Sequence, residues 1–536
     1  MNPLYLDALV VGAGFGGIYQ LYSLLKLGLN VKAIEKGENV GGVWHWNRYP
    51  GTRTDTESHL YRFSWDKDAL QTDPWANNYL SGDEVRSYLN SVVDKHNLRP
   101  HFHFSTEMIS AEWDEPQRKW RVETNTGQVF ITTYLFTALG MHTIPNIPAI
   151  PGLDTFQGPV MHSSAWDPAV DITDKRVAVL GSGSSGIQIS TAIAPAVSEL
   201  HCLIRNPQFS VPLRLEPVAP ARRAQINRAY DDIWATQRAS RNAFGFAEPA
   251  VRATDVTPAE RRRVFEELWA RGNGFRFVAG GFADVASDAA ANAEACAFLR
   301  GKIAAVVRDP AKAAVLTPRE MFARRPPCDE GYYDIFNRGN VFAVDVSATP
   351  IVAVEGGGVR TADGRLHEVD VIVLATGFRS GDGSYLGLRG PIRGRGGALL
   401  SDHWAASGIK TYLGLFVSSF PNLFLVNGPQ VPYSNVPVSI EAEVDFLTTM
   451  LAEVGRGGKA DAVIECTPEA EGDYADLCHQ LSLSETLVNK VDSWLTGKNT
   501  PGAKNSTLFY YGGLKSYRDL LLTVKEDMYR GLTVLT

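Results

Sequence analysis

The stretch LDALVVGAGFGGIYQLYSLLKLGLNVKAIEK, residues 6–36, predicts a strand, a tight glycine turn, a helix and a second strand. The first strand is an unbroken apolar run, as in a parallel strand that is buried on both faces. Gly12 permits the turn, Gly14 lets the backbone approach a pyrophosphate, and Gly17 lets helix and strand pack closely. Glu35 ends the second strand, where a carboxylate accepts hydrogen bonds from ribose hydroxyls and repels a 2′-phosphate. The stretch therefore predicts a dinucleotide site for FAD or NAD rather than NADP.

The same unit recurs about 170 residues later as KRVAVLGSGSSGIQISTAIAPAVSELHCLIR, residues 175–205. Its glycine loop runs from Gly181 to Gly186. Its second strand ends at Arg205, and arginine can grip a 2′-phosphate with a charge-assisted fork. This unit therefore predicts an NADPH site. The alternative is an arginine that is simply solvated at the end of a strand.

The segment between about residues 215 and 325 has a helical character that the two dinucleotide units lack. Thr257, Pro258 and Glu260 have the spacing of a capping box with proline at the first helical position. The same arrangement recurs at Thr317, and DAAANAEACAFLRGKIAAVV is helical by composition and periodicity. We therefore expect a helical insertion in the second unit.

Composition excludes several classes of protein. The net charge of −7 gives no reason to expect a nucleic acid partner. The five cysteines are scattered and lack any CxxC spacing, which favours free thiols in the cytoplasm over disulfides or a metal site. No secretory signal is visible, and the most apolar late run is broken by polar residues and is too short to span a membrane.

Two dinucleotide sites in one chain imply electron transfer. A bound flavin that receives hydride from NADPH is the simplest interpretation. A disulfide reductase would need a cysteine pair soon after the first unit, but the first cysteine is Cys202. Dioxygen is therefore the leading candidate for the electron acceptor.

Between the two loops lies FQGPVMHSSAWD, residues 156–167, which has the spacing FxGxxxHxxxW followed by aspartate. A second pattern, GGxWxxxxYPGxxxD, runs from Gly41 to Asp55. Together they resemble the signature motifs of the Baeyer–Villiger monooxygenases, and the resemblance runs essentially end to end, with the strongest similarity to the cyclohexanone monooxygenase branch. The fingerprint residues are Phe156, Gly158, His162, Trp166 and Asp167.

The resemblance implies an α/β fold with two Rossmann-like dinucleotide-binding domains, one for FAD and one for NADPH, and a helical insertion in the NADPH domain. The expected FAD domain combines residues 1–145 and 385–536. The expected NADPH domain combines residues 152–214 and 326–384, with the insertion at 215–325.

The activity that the resemblance implies has two halves. NADPH reduces FAD, and dioxygen then forms a flavin peroxide that inserts one oxygen next to a ketone carbonyl. A cyclic ketone would give a lactone, with sulfide oxidation as a side activity. The expected protein is a monomer whose partners are the small-molecule ketone and dioxygen. Two alternatives remain: a flavin monooxygenase that oxygenates nitrogen or sulfur, and a flavoprotein that acts as a redox sensor or oxidase.

The resemblance also assigns roles. The family's Arg–Pro step corresponds to Arg325 and Pro326, which makes Arg325 the catalytic cation, and Asp55 the carboxylate that holds it in place. A surface arginine and a turn-capping aspartate are the alternatives. We interpret His162 as a hydrogen-bonded structural histidine rather than a proton donor, and Trp166 as a packing anchor between domains.

Further positions are expected to contact the two cofactors. Those assigned to FAD are Gly12, Gly14, Phe15, Gly17, Glu35, Val43, Trp44, Asp55, Tyr61, Met108 and Val436. Those assigned to NADP are Arg53, Thr54, Gly181, Ser182, Gly183, Ser184, Ser185, Gly186, Arg205, Asn206, Arg324 and Trp494.

The chain departs from the family pattern in several places. Arg324 replaces a usual lysine and Asn206 a usual threonine or serine, which leaves the strictness of the NADPH preference open. The run GPQVPYSNVPVSIE, residues 428–441, replaces a GPNGPFTNLPPSIE-like run, so that Tyr433 stands where phenylalanine is usual. The changed positions expected to reshape the ketone pocket are Gln430, Val431, Tyr433, Ser434 and Val436, with core packing as the alternative for Val436. Residues 498–500 are also less apolar than in the family, so we expect loop-closing contacts there to differ.

Overall fold

A computed structural model describes residues 2–380, 383–456, 462–497 and 507–535. The helices are α1 (Phe15–Lys26), α2 (Val43–Trp46), α3 (Lys67–Thr72), α4 (Gly82–Lys95), α5 (Ser184–Ile193), α6 (Pro220–Ala239), α7 (Pro258–Arg271), α8 (Gly274–Ala279), α9 (Ala289–Val306), α10 (Pro310–Leu316), α11 (Tyr332–Ile335), α12 (Gly383–Leu386), α13 (Leu400–Ser407), α14 (Val436–Arg456), α15 (Pro468–Glu485) and α16 (Leu514–Glu526).

The strands are mostly short. They are β1 (Leu4–Val11), β2 (Val31–Ile34), β3 (Phe102–His103), β4 (Met108–Asp114), β5 (Lys119–Thr124), β6 (Val129–Thr137), β7 (Val160–His162), β8 (Arg176–Leu180), β9 (Glu199–Ile204), β10 (Val211–Pro212), β11 (Cys328–Asp329), β12 (Val341–Asp345), β13 (Ile351–Glu355), β14 (Gly358–Thr361), β15 (Leu366–Glu368), β16 (Val371–Leu374), β17 (Ile392–Arg393), β18 (Leu423–Leu425), β19 (Val463–Cys466) and β20 (Leu532–Leu535).

The larger sheet joins the two ends of the chain. Its strands run in the order β17-β4-β5-β6-β1-β2-β3, and β18 also pairs with β6. The pairs of β1 with β2 and of β1 with β6 are parallel, whereas β4, β5 and β6 form an antiparallel run. Because β1 is central and packed under helices, its apolar run is buried, as the sequence predicts.

The second sheet has the order β12-β9-β8-β16-β7, and every pair in it is parallel. Each of the two sheets therefore carries one strand–glycine turn–helix unit, β1–α1 and β8–α5. The predicted fold class, α/β with two Rossmann-like units, is confirmed. The five helices α6 to α10, all in the continuously described stretch between β10 and β11, form the helical insertion. The domain boundaries given above stay predictions.

One of the two predicted helix starts in the insertion is correct. The Thr257 side chain accepts a hydrogen bond from the Glu260 amide and caps α7. The second start, at Thr317, is wrong, because Thr317 follows the last residue of α10 and donates its hydroxyl to the Ala313 carbonyl. Residues 318–327, which follow it, form no helix.

None of the helices in the described part of the chain is both long and apolar enough to cross a bilayer.

Candidate functional site

Two glycines of the first loop lie too close to neighbouring backbone to carry a side chain. Gly12 has φ +112°, and a Cβ added there would overlap the carbonyl oxygen of Ala138 on the neighbouring strand. A Cβ on Gly17 would in turn overlap the Gly12 carbonyl. Helix α1 begins at Phe15 with no side-chain cap at Gly14, so its first amide groups are available to an anion.

Glu35 lies beside this loop and is buried. Its Oε2 accepts a hydrogen bond from the Ala13 amide at 2.9 Å, and its Oε1 accepts one from the Gly37 amide at 2.7 Å. Burial raises the pKa of Glu35, and the two amides oppose that shift. Each carboxylate oxygen keeps a lone pair that can accept a hydrogen bond from a ribose hydroxyl, so Glu35 fits the ribose of FAD.

The second loop repeats this geometry. Gly181 has φ +111° and faces the carbonyl of Ala375, the counterpart of Ala138. Helix α5 begins at Ser184, again without a side-chain cap. A Cβ added to Gly183 would meet nothing within 4 Å among the described residues, which leaves open space where a pyrophosphate could approach the backbone.

Two cations lie beyond the second loop. Arg205 is exposed at the end of β9. The Nε of Arg324 donates to the Asp492 carbonyl at 2.8 Å, and its guanidinium pairs with Glu320 at 2.5 Å. Burial, joined by the nearby charge of Arg205, lowers the pKa of Arg324. Two positive charges held near each other favour the binding of an anion between them. Arg205 and Arg324 therefore fit the 2′-phosphate of NADPH.

A cavity of about 510 Å³ lies between the two loops. Many predicted cofactor residues line it, together with the proposed catalytic pair: Gly12, Gly14, Phe15, Glu35, Val43, Trp44, Arg53, Thr54, Asp55, Tyr61, Met108, Gly183, Ser184, Ser185, Arg325, Val436 and Trp494. The other predicted residues do not line the cavity. They are Gly17, Gly181, Ser182, Gly186, Arg205, Asn206, Arg324 and the fingerprint residues.

Arg325 and Asp55 meet in this cavity, although 270 residues separate them in the chain. The Nη2 of Arg325 donates to Oδ2 of Asp55 at 2.5 Å, and the two side chains are 31% and 18% exposed. Burial opposes the charged guanidinium, but the carboxylate outweighs it, so the pKa of Arg325 lies above its ordinary value. Arg325 is therefore a permanent cation at any physiological pH.

A turn from the helical insertion supports this pair, and sequence reasoning missed it. Asn273 has φ +76°, caps α8 with its side-chain oxygen, and donates its Nδ2 to the Asp55 carbonyl at 2.8 Å. A Cβ on Gly274 would lie 2.6 Å from Cβ of Pro326. The ring of Phe275 lies 5.1 Å from the guanidinium carbon of Arg325. The available signal was the string GNGF, where an asparagine between two glycines indicates an unusual turn.

The loop from Tyr49 to Arg53 connects the first unit to helix α5 of the second. The Tyr49 hydroxyl donates to Gln188 Oε1 at 3.0 Å, and Gln188 Nε2 donates to the Arg53 carbonyl at 3.2 Å. Gly51, at φ +85°, packs directly against the backbone of Gln188. This loop carries Arg53 and Thr54 into the cavity between the units.

The fingerprint histidine makes hydrogen bonds through both of its ring nitrogens. The Ser164 amide donates to Nδ1 of His162, so the proton resides on Nε2, which donates to the Gly377 carbonyl at 3.0 Å. Burial lowers the pKa of His162. The ring also packs edge-on against Phe378, which lines the cavity with Gly377. His162 thus fixes a wall of the cavity without reaching it.

The other fingerprint residues also lie outside the lining of the cavity. A Cβ on Gly158 would overlap the Asp370 carbonyl, and Phe156 and Trp166 are partly buried against apolar clusters of the second unit. Asp167 is exposed and accepts a hydrogen bond from the Ala169 amide in a local turn.

Of the five positions expected to reshape the ketone pocket, three line the cavity and two do not. Tyr433, Ser434 and Val436 line the cavity. Gln430 does not, because its buried side chain bonds Thr411 and the Ile409 carbonyl in a separate network. Val431 is buried outside the lining and packs near Gly414. Residues 498–500 lie outside the described residues.

His142 also lines the cavity, and nothing in its sequence context predicts that role. Its ring packs edge-on against Trp494, with centroids 4.6 Å apart. Burial, and then the charge of Arg325, lowers the pKa of His142 to about 4. The imidazole is therefore neutral at pH 7.

Comparison with known proteins agrees with this geometry. A family model described as pyridine nucleotide-disulphide oxidoreductase matches residues 9–244. A Baeyer–Villiger monooxygenase of Pseudooceanicola batsensis is 40% identical over 98% of this chain and 96% of its own length. A cyclohexanone 1,2-monooxygenase of Acinetobacter sp. is 41% identical over 98% of this chain and 96% of its own. A phenazine N-monooxygenase of Lysobacter antibioticus is 41% identical over 99% and 97%.

A solved structure supports the same assignment. Cyclohexanone monooxygenase from Rhodococcus sp. Phi1 bound to NADP⁺ has 45% identity and a TM-score of 0.97, with 100% of both chains covered. The sequence similarity and the shared fold extend over essentially the whole chain. The chain belongs to the Baeyer–Villiger monooxygenase family.

Proposed function

We propose that this protein is an NADPH- and FAD-dependent monooxygenase that inserts one oxygen atom next to the carbonyl of a ketone, with a cyclic ketone giving a lactone. The observation that carries the proposal is the partly buried Arg325–Asp55 pair, which lines a cavity reached by both glycine loops. The fit of Glu35 to a ribose and of Arg205 and Arg324 to a 2′-phosphate supports FAD in the first unit and NADPH in the second.

The chain's own residues supply position and charge. When bound, FAD and NADPH supply the electrons and the activation of dioxygen. Arg325 places a fixed positive charge beside the ketone, where negative charge develops on oxygen during the reaction. It cannot lose its proton, so it stabilises that charge electrostatically rather than by proton transfer. Asp55 and the turn at Asn273 hold the guanidinium in place.

A product analysis tests the proposal. The holoenzyme would be given a panel of cyclic and linear ketones, with NADPH and NADH in parallel, and products would be separated by gas chromatography. We expect lactones or esters in stoichiometric amounts with the NADPH consumed. Hydrogen peroxide without any ester or lactone would instead indicate an oxidase and would reject the proposal.

Nitrogen oxygenation is the second candidate, because a phenazine N-monooxygenase is as similar to this chain as the ketone-oxidising relatives. A tertiary amine and an aromatic N-heterocycle therefore belong in the same panel. An N-oxide without lactone would favour this second candidate over the first.

Replacing Arg205 with alanine is expected to raise the KM for NADPH about tenfold, because one charge-assisted contact to the 2′-phosphate is lost. The KM for NADH, which lacks that phosphate, should stay the same. Steady-state kinetics with both nucleotides measures the change in preference. Arg365→Ala, at another exposed arginine of the second unit, is the matched control. An unchanged ratio of the two KM values would contradict the role of Arg205.

Replacing Gly274 with alanine is expected to lower lactone formation about tenfold or more, because the new Cβ would push against Pro326 and displace Arg325. FAD content and the KM for NADPH should stay near those of the parent. Gly301→Ala, in α9, adds the same methyl where no described atom lies within 4 Å and serves as the control. Equal lactone rates in the two variants would show that the turn does not position Arg325.

We also infer a cytoplasmic location and a monomeric state. All five cysteines are free and buried, which suits a reducing compartment. Both loops and the Arg325–Asp55 pair belong to one chain, so the site is complete without a second copy.

A further inference from the structure

One end of the cavity is lined by a chain of four aromatic rings. His142 contacts Trp494, Trp494 contacts Phe509 at 5.9 Å between centroids, and Phe509 contacts Tyr433 at 5.5 Å. All four residues line the cavity together with Arg325. Three of the rings, those of His142, Trp494 and Tyr433, carry polar atoms, so this end of the cavity is not purely apolar.

The hydroxyl of Tyr433 is buried and has no hydrogen-bond partner of good geometry among the described residues. Burial raises the pKa of Tyr433 to about 12, although the nearby charge of Arg325 opposes the shift. The hydroxyl therefore keeps its proton. Arg325 can only donate, so the protein offers the hydroxyl oxygen a donor but offers its proton no acceptor.

His142 provides a second polar group on the same wall. Its Nδ1 lies 3.4 Å from the Ser380 hydroxyl, and the ring also interacts with the Met141 backbone. A neutral imidazole has one donor and one acceptor nitrogen, and either can hydrogen-bond a polar ligand group that enters the cavity. A buried hydroxyl without a hydrogen-bond partner, such as that of Tyr433, costs free energy, which a ligand with a matching oxygen would recover.

We propose that this cavity selects ketones that carry a second oxygen atom, in a hydroxyl or in a further carbonyl. Tyr433 donates a hydrogen bond to that second oxygen, and His142 lies beside it. The proposal rests on the ketone-oxidising function proposed above. A plain cycloalkanone has only its carbonyl oxygen, which faces Arg325, and would leave the Tyr433 proton without an acceptor. A phenylalanine at this position would carry no such group.

Two ketones of nearly equal size test the proposal: 4-hydroxycyclohexanone and 4-methylcyclohexanone. In the parent enzyme we expect kcat/KM for oxygenation of the hydroxy ketone to exceed that of the methyl ketone about tenfold, equivalent to about 1.4 kcal/mol. In Tyr433→Phe the kcat/KM for the hydroxy ketone should fall while that for the methyl ketone stays the same, so that the ratio becomes about one. The substitution keeps the ring that packs against Phe509, so the fold is retained.

Binding gives a second readout that does not depend on turnover. Calorimetric titration of the oxidised holoenzyme with the hydroxy ketone should show a Kd about tenfold higher in Tyr433→Phe than in the parent. His142→Leu should weaken the same binding, and His142→Gln, which keeps a polar group, should weaken it less. Tyr511→Phe removes the hydroxyl of a neighbouring buried tyrosine that does not line the cavity, and should change neither readout.

Three outcomes are distinguishable. A parent enzyme that prefers the methyl ketone, or a Tyr433→Phe variant that changes both ketones equally, would overturn the selectivity while leaving the ketone oxygenation intact. Oxygenation of neither ketone, with hydrogen peroxide as the product, would instead overturn the function on which the proposal rests.

Discussion

Replacing Arg325 with alanine should lower lactone formation by about two to three orders of magnitude while FAD stays bound. The guanidinium is the charge that stabilises negative oxygen during the reaction, and removing one such preorganised group has an effect of this size. Lactone yield by gas chromatography and the absorption spectrum of bound FAD measure the two parts of the expectation.

Two variants separate charge from geometry in this experiment. Arg325→Lys keeps the positive charge but loses the planar fork that meets Asp55, so we expect activity between that of alanine and of the parent. Arg176→Ala removes a similarly exposed arginine that pairs with Asp370 at 2.8 Å in the second unit, away from the cavity. If Arg325→Ala formed lactone at the parent rate, the assignment of the catalytic cation would be wrong.

Replacing Asp55 with alanine should lower lactone formation about a hundredfold, because an unpaired guanidinium can leave the reacting position and a displacement of about 1 Å has such an effect. The expected loss is smaller than for Arg325→Ala, since the positive charge remains. Single-turnover kinetics with reduced holoenzyme and ketone measures the oxygenation step without interference from NADPH binding.

The combination of the two substitutions tests whether Asp55 acts through Arg325. If it does, Asp55→Ala should have almost no further effect in the Arg325→Ala background, because the two effects are coupled. Additive losses would mean that Asp55 has an independent role. Asp55→Asn keeps the shape and one acceptor oxygen, and should recover part of the activity.

The start of one predicted helix and the direction of one predicted pocket side chain depended on tertiary context. The Thr317 motif satisfies the same local rule as Thr257, yet α10 ends directly before it, and Glu320 pairs with Arg324 instead of opening a helix. Gln430 differs from the family pattern as Tyr433 does, but its side chain bonds into a network away from the cavity. Sequence substitution alone does not tell which of two neighbouring side chains faces a cavity, because that depends on the backbone direction at each residue.

The sequence by itself determined the two dinucleotide units. Each unit places its strand, glycine turn, helix and ribose-facing residue within about 30 consecutive residues. Steric rules over so short a stretch allow few alternative folds. Only the tertiary structure decided how the site closes: Arg325 meets Asp55 across 270 residues, Asn273 holds Asp55 from the insertion, and His142 reaches the cavity. Those contacts arise from the packing of separate elements, which no local pattern encodes.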